Sequence, residues 1–563
     1  MTDGQEPTTT QPTAGRPTRI LVIGGGYVGM YTALRLQKKL RAELKRAHAH
    51  LARSDGEQIT PSSEVHGGRR GARTADRLPG RPESDPLQGH SDAARYGVEI
   101  VVVSPEPYMT YQPFLPEAGA GSISPRHVVV PLRRVLPECR IVVGEAKRVD
   151  QARRVAVVRT IAAADGSRTR RPTDPARGHA PDGPATEGPT PDGPAPDGPA
   201  TGGPAPDAPA SAADGPEPGD LEIGYDELVL APGSVSRTLP VPGLADHGIG
   251  FKTVEEAIGL RNHVLEQLDI ASSTRNPEIR DAALTFVFVG GGYAGVEALA
   301  ELEDMARYAC RYYHNLRPEE QKWILVEATD RILPEVGEEM GRYAVRELRG
   351  RKIDVRLQTR LESCEDRVAV LSDGSRHPCR TLVWTAGVKP SPLLAATGLP
   401  LTERGRLRCD ATLRVEGVAH VWAAGDAAAV PDLTADKPGV ECAPNAQHAV
   451  RQARLLGDNV AAALRGRPLR EYRHSYAGSV ASLGLHKGVA RVYGRKLKGY
   501  PAWLMHRVYH LSRVPTVNRK TRVLAEWTLA GFFKREIVSL GSLEHPRAEF
   551  EMAAGGGPRS EER

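Results

Sequence analysis

The chain has 563 residues, with 75 Lys+Arg against 69 Asp+Glu and a formal net charge of +6, long enough for three or four domains of roughly 150 residues each. Six cysteines stand far apart without a C-x-x-C pair, which excludes a disulfide scaffold, a zinc ribbon and an iron–sulfur cluster, so no metal is expected. No run of about 18 apolar residues and no apolar N-terminal leader is present, so the chain reads as cytoplasm-facing without a membrane-spanning helix.

Arg19 to Ile23 (RILVI) is a short β-branched run that ends in glycines, and a helical pattern follows to about His50. Residues 51–95 are rich in Arg, Gly, Ser, Asp and Pro and read as a disordered insertion. Val98 to Val103 (VEIVVV) is the next expected parallel strand. Residues 162–220 hold the degenerate repeat TPDGPAPDGPATGGPAPDAPA and read as a second disordered insertion. Leu284 to Val289 (LTFVFV), a glycine turn, a helix from about Val296 and a strand at Trp323 to Val326 repeat the opening unit. His420 to Asp426 (HVWAAGD) is a further strand entering a turn. The expected fold class is α/β, with two Rossmann-like dinucleotide-binding domains, the first interrupted by the second. The limits expected are 18–150, 221–250 and 381–470 for the first domain and 251–380 for the second. A C-terminal region follows at 471–545, then a flexible tail at 546–563.

Gly24-Gly25-Gly26-Tyr27-Val28-Gly29 matches G-x-G-x-x-G between a strand and a helix. The first glycine permits the turn, the second lets backbone approach a pyrophosphate, and the third lets the helix pack on the sheet; the helix N-terminus favours the anion. The acid expected to hold the ribose at the next strand end is absent. Ser104 stands there and Glu106 follows, and the sequence leaves open which of the two serves. Gly290-Gly291-Gly292-Tyr293-Ala294-Gly295 repeats the motif and is followed by Glu297. Its strand end carries Glu327, an acid that accepts the ribose hydroxyl of NAD and repels the 2′-phosphate of NADP. Two dinucleotide sites imply electron transfer between a nicotinamide and a flavin.

Read together, GGGYVG, YMTYQPFLPE (Tyr108 to Glu117), LVLAPGS (Leu228 to Ser234), GGGYAGVE, LVWTAGVKP (Leu382 to Pro390), WAAGD and NAQHAVRQA (Asn445 to Ala453) resemble the type II NADH dehydrogenases. The resemblance covers most of the chain outside the insertions. It implies non-covalent FAD, hydride transfer from NADH to FAD, and delivery of two electrons to a membrane quinone without proton pumping. By the resemblance, Gly24, Gly26, Gly29 and Asp426 hold FAD; Gly290, Gly292, Gly295 and Glu327 hold NADH/NAD; and Glu297 lies near the nicotinamide–flavin contact. The family's quinone motif is similar to A-Q-x-A-x-Q, and here Gln447 is in place while Arg451 stands at the second glutamine. Helical spacing puts Arg451, rather than Gln452, on the Gln447 face. Tyr27 to Arg95 contains no cysteine, which removes the thiol relay of related disulfide reductases, and the lone nearby Cys442 is too few for a sulfide:quinone reductase. The alternative enzyme is a soluble NADH-dependent reductase of a small electron-carrier protein.

Residues 487–536 hold twelve Lys+Arg against Glu526 and Glu536, so the rest of the chain is slightly acidic. Trp503, Leu504, Val508 and Leu511 are expected on one helical side with Arg507 and His510 turned away; Val523, Leu524 and Trp527 repeat the pattern. That describes an interfacial helix on an anionic membrane surface, peripheral to the cytoplasmic face of the cell membrane. A basic amphipathic homodimer or domain interface is the other reading of the segment. Nucleic acid is not expected, because no recognised motif accompanies the charge.

Overall fold

The computed structural model describes residues 17–54, 97–160, 219–474, 478–533, 535 and 537–538. Strand β1 (Thr18–Ile23) lies centrally in a seven-stranded sheet. Its neighbours are β2 (Val98–Ser104) on one side and β6 (Glu227–Leu230) on the other, both parallel to it. The sheet continues outward through β12 (Val421–Ala423) beyond β6. On the other side it runs through β3 (Arg140–Asp150), β4 (Val155–Thr160) and β5 (Asp220–Gly224). Ile20, Leu21 and Val22 are fully buried, as a strand covered on both faces requires; that is why RILVI shows no polar alternation. Helix α1 (Tyr27–Ser54) covers one face and packs along α6 (Ala446–Ala463). Thr32 Oγ1 donates to the Ala453 carbonyl at 3.1 Å, and Arg35 pairs with Asp458 at 2.7 Å.

The expected insertions lie outside the described residues except at their edges, where the expectation fails. Residues 51–54 continue α1, and Asp220 opens β5. Strands β4 and β5 flank the second insertion as an antiparallel pair, Arg159 opposite Asp220, so its two ends meet at one hairpin tip. The expected tail, 546–563, also lies outside the described residues.

The second sheet has the order β7 (Gly248–Ile249), β11 (Thr381–Trp384), β8 (Thr285–Val289), β9 (Lys322–Val326), β10 (Asp354–Arg356), all parallel. Phe286 stacks on Trp323 at 4.3 Å between centroids. Two of these strands, 248–249 and 381–384, fall outside the 251–380 limits expected for this domain. The chain enters and leaves the domain as strands that pair within it, so limits drawn from the order of the motifs fall short on both sides.

The C-terminal region consists of an antiparallel sheet, β13 (Gly478–Ser482), β14 (Gly488–Val492) and β15 (Arg495–Lys498), then helices α7 (Tyr500–Arg513) and α8 (Val517–Phe533). Among the described residues, no helix is long and apolar enough to cross a membrane. The orientation of α7 differs from the expected one. Trp503 and His506 are buried, and the Arg507 side chain is only 11% exposed, lying between the Trp503 and Trp527 rings at 4.3 and 4.7 Å. Leu504 and Val508 face outward, 45% and 58% exposed. The inward stripe is therefore 503, 506, 507 and 510, and the outward stripe is 504 and 508, one residue over. The physical reason is buried carboxylate beneath the helix. Glu117 and Glu297 are both nearly inaccessible, and Arg507 and His506 reach them at 3.6 and 3.1 Å.

Part of the basic charge of 487–536 is thereby paired within the chain, some of it buried and some at the surface. Arg535 pairs with buried Glu301 at 3.0 Å, and Lys487 with Glu347 at 3.5 Å. Lys496 and Lys498 bind Glu339, whose carboxyl they hold down at about 2.

Candidate active site

The two glycine turns are built alike. Gly24 and Gly290 have φ of +109° and +116°, and their N–H groups donate to Val103 and Val326 carbonyls at 2.8 and 2.9 Å. A Cβ on Gly24 would lie 2.1 Å from the Ala231 oxygen, and one on Gly290 2.7 Å from the Thr385 backbone. A Cβ on Gly29 or Gly295 would lie 1.7 or 2.0 Å from the oxygen of the first glycine of its own turn. The middle glycines behave differently: a Cβ on Gly26 or Gly292 meets nothing within 4 Å. The protein itself gives no steric reason for glycine there. The open space at the mouth of each helix fits a pyrophosphate approaching the backbone, so the residues present suit two dinucleotides.

The strand-end residues occupy equivalent corners. A Cβ on Gly25 would meet Ser104 Oγ at 2.4 Å and Leu132 at 2.7 Å; one on Gly291 would meet Ile332 at 2.7 Å and Glu327 Oε2 at 2.9 Å. Ser104 is buried against its turn. Glu106 is exposed and turned toward Tyr108 and Glu255; burial and the neighbouring Glu255 raise its carboxyl, with Tyr108 opposing. The geometry thus puts Ser104, and not Glu106, beside the first turn. Glu327 accepts the Gly291 N–H at 2.6 Å and the Thr329 N–H at 2.8 Å, fixing its carboxylate at the mouth of the second turn.

Asp426 follows Gly425, whose φ is +69° and whose N–H donates to Gln452 Oε1 at 2.8 Å. Ser234 Oγ donates to Asp426 Oδ2 at 2.7 Å and accepts from Lys252 Nζ at 2.8 Å. Burial pulls the Lys252 ammonium down while Asp426 and Glu256 hold it up. Ser234 and Lys252 were given no role by sequence reasoning. The only available signal was that Ser234 ends the LVLAPGS segment; its partner lies 192 residues away.

Glu297 is 6% exposed on helix α4 (Tyr293–Ala309) and accepts the Ser482 N–H at 2.8 Å. At the other end of β13, Gln447 Nε2 donates to the Gly478 carbonyl at 2.7 Å. One five-residue strand therefore connects the two groups, about 13 Å apart along it at roughly 3.3 Å per residue. Arg451 Nη1 donates to the Gln447 carbonyl at 3.1 Å and lies 3.5 Å from Gln447 Oε1, so it shares that face while Gln452 turns inward onto Gly425. Cys442 is buried, and burial and Asp432 push its thiol up to about 11, the reverse of what thiol chemistry needs.

The family model for pyridine nucleotide-disulphide oxidoreductases matches residues 206–453. A type II NADH:quinone oxidoreductase from Staphylococcus aureus is 30% identical over 287 residues, 50% of this chain and 70% of that one. The type II NADH:quinone oxidoreductase NdhA of Mycobacterium tuberculosis is 29% identical over 320 residues, 54% of this chain and 66% of that one. Among solved structures, NDH2 from Plasmodium falciparum in complex with NADH has a TM-score of 0.68 at 14% identity, covering 93% of this chain and all of that one, a likeness of fold. By the extent and identity of the staphylococcal match, the chain belongs to the type II NADH:quinone oxidoreductases.

Proposed function

We propose that the chain binds FAD at its first glycine turn and NADH at its second, and passes the two electrons of NADH to a quinone from the membrane. The observation that carries this reading is the pair of turns whose middle glycines, Gly26 and Gly292, have open space where a Cβ would point, in a member of this family. FAD, when bound, accepts the electrons of NADH and hands them on to the quinone. Gly24, Gly26 and Gly29 cradle its pyrophosphate, Ser104 takes the ribose, and Asp426, held by Ser234, takes the ribityl chain. Gly290, Gly292 and Gly295 do the same for NADH, with Glu327 on the ribose and against a 2′-phosphate. Gln447 and Arg451 face the quinone: both carry N–H donors suited to a quinone carbonyl.

The docking face is the outward stripe of the C-terminal helices. Leu504, Val508, Leu524, Leu529, Phe532 and Phe533 are each between 45% and 79% exposed. Arg513, Lys520 and Arg522 stand on the same two helices, suiting an anionic bilayer on the cytoplasmic side. The test is anaerobic titration of the purified protein with NADH, followed by quinone supplied in anionic vesicles. Bleaching of a flavin spectrum that quinone reverses is the expected result. Bleaching reversed only by a soluble electron-carrier protein would refute the quinone assignment.

A further inference from the structure

Turnover of NADH with a quinone, NADH + H⁺ + Q → NAD⁺ + QH₂, takes one proton from solvent, and the reacting centre is covered by the C-terminal helices. Helix α7 carries two histidines one turn apart on its inward stripe. His506, 2% exposed, has its Nε2 3.1 Å from Glu297 Oε1, an ion-pair contact, and neither ring nitrogen completes a hydrogen bond among the described residues. His510 lies next along, its ring centroid 4.5 Å from that of His506; it is partly exposed, and its Nδ1 is 3.2 Å from Tyr111 Oη. We propose that His506 and His510 form a proton inlet that recharges Glu297 during quinone reduction. This rests on the quinone reading above.

The groups around the pair give the route a direction. His506 faces Glu297 from α4 and Glu117 from helix α2 (Leu115–Gly119), with Arg507 and His510 on its own helix. Burial alone would depress its pKa, but Glu297 and Glu117 outweigh burial and Arg507 and raise it. His510 faces His506 and Arg513, with Tyr111 and Tyr509 beside it; burial, then the two cations, push it well below its ordinary value. The inner histidine thus holds its proton more firmly beside the carboxylate, and the partly exposed outer one gives up a proton more readily and passes it inward. In the step itself, the His506 Nε2–H bond breaks as an O–H bond forms on the Glu297 carboxylate. That O–H breaks in turn as one forms on the reduced quinone, and a proton from His510 restores His506. Both histidines act through Glu297, and the electrons travel separately from NADH to the quinone.

Ferricyanide takes single electrons and no proton, so it reports NADH oxidation without drawing on the inlet. The experiment compares flavin-replete wild type, His510→Gln and His506→Gln with a short-chain benzoquinone and with ferricyanide across pH 6 to about 9. The expected result is a quinone-to-ferricyanide rate ratio at least about tenfold below wild type in both variants. The deficit grows with pH and is partly restored by added imidazole. A ratio within about twofold of wild type at every pH overturns the inlet, as do equal losses with both acceptors. Should His506→Gln fail to retain FAD, the partly exposed His510→Gln decides alone. Wild type that reduces ferricyanide but no quinone would instead sink the function proposed above.

Discussion

The two nucleotide-binding halves share the backbone form of their turn, with first-glycine φ of +109° and +116°, and differ in what covers the helix that follows. Helix α1 is closed by another helix of its own domain through a buried threonine and the Arg35–Asp458 pair. Helix α4 buries three acids, Glu297, Glu301 and Glu303, and half-buries a fourth, Asp304, and the chain closes it with cations and N–H donors from far away. Ser482 and Leu485 donate backbone N–H groups, Arg351 pairs with Glu303 and with Asp304 at 3.0 Å, and Arg535 pairs with Glu301. A repeated frame is thus made into two different sites by its lid. Over the first helix the lid stabilises; over the second it also brings an ionisable group, His506, against Glu297.

The largest effect expected from breaking that difference is at Arg351. Its side chain is 7% exposed and donates to the Leu483 carbonyl at 2.6 Å and the Ala300 carbonyl at 2.8 Å besides its two acids. Arg351→Met removes one of two cations from buried Glu303, leaving Arg307, and the cation from Asp304, which keeps the Leu485 N–H. The cost should be about 3 kcal/mol, the low end for breaking a buried pair. Arg35→Met, at a 43% exposed side chain, should cost about 1 kcal/mol or less. Chemical denaturation of the two holoenzymes measures both; equal losses would show that the two lids are energetically alike.

Next come the glycines, where the halves should respond in parallel. Gly29→Ala and Gly295→Ala force backbone apart from backbone and should cost about 1–3 kcal/mol or more. Gly26→Ala and Gly292→Ala meet open space and should leave apoprotein stability within about 1 kcal/mol. Their penalty should appear in nucleotide binding: FAD content falls in the first, and the KM for NADH rises about tenfold or more in the second with FAD retained. Full FAD occupancy in Gly26→Ala would remove the pyrophosphate from that space.

The strand-end corner is where the halves diverge chemically. Glu327→Ser makes the second corner resemble the first, and the NADH/NADPH ratio of kcat/KM should fall at least about tenfold, or about 1.4 kcal/mol. An unchanged ratio would count against Glu327 as the selector.

The turns, their strands and Glu327 were legible in the sequence because each lies within one local unit with its own pattern. Ser234, Lys252 and Asp426 were not connected, because only the strand order β12-β6-β1 brings residues 234 and 426 together. The 251–380 limits leave out strands 248–249 and 381–384, because which sheet a short strand joins is set by its pairing partner and not by its own residues. The face of α7 was misread for a different reason. Periodicity locates an apolar stripe but not which side is inside, and here buried Glu117 and Glu297 decide in favour of the polar stripe, which sequence cannot show before the fold is known.

The smallest effect expected is the pH dependence that the two histidines confer on stability, and it separates the inner from the outer member of the pair. His506 is raised above its ordinary value of 6.5. Its contribution is therefore complete below about pH 6.5 and is lost as pH rises through the raised value. His510 is lowered, so its burial is harmless above 6.5 and costs stability as pH falls below that value, when the unfolded chain takes up the proton more readily. Wild type should melt above His506→Gln at pH 6, by about 2 °C for each kcal/mol in a protein of this size or larger, with the gap closing toward pH 9. Against His510→Gln the gap should change in the opposite sense, improving for wild type as pH rises from 5 to 7. Parallel curves for the two variants would mean that the histidines share one environment, and that α7 does not present a buried charged member and an open neutral one.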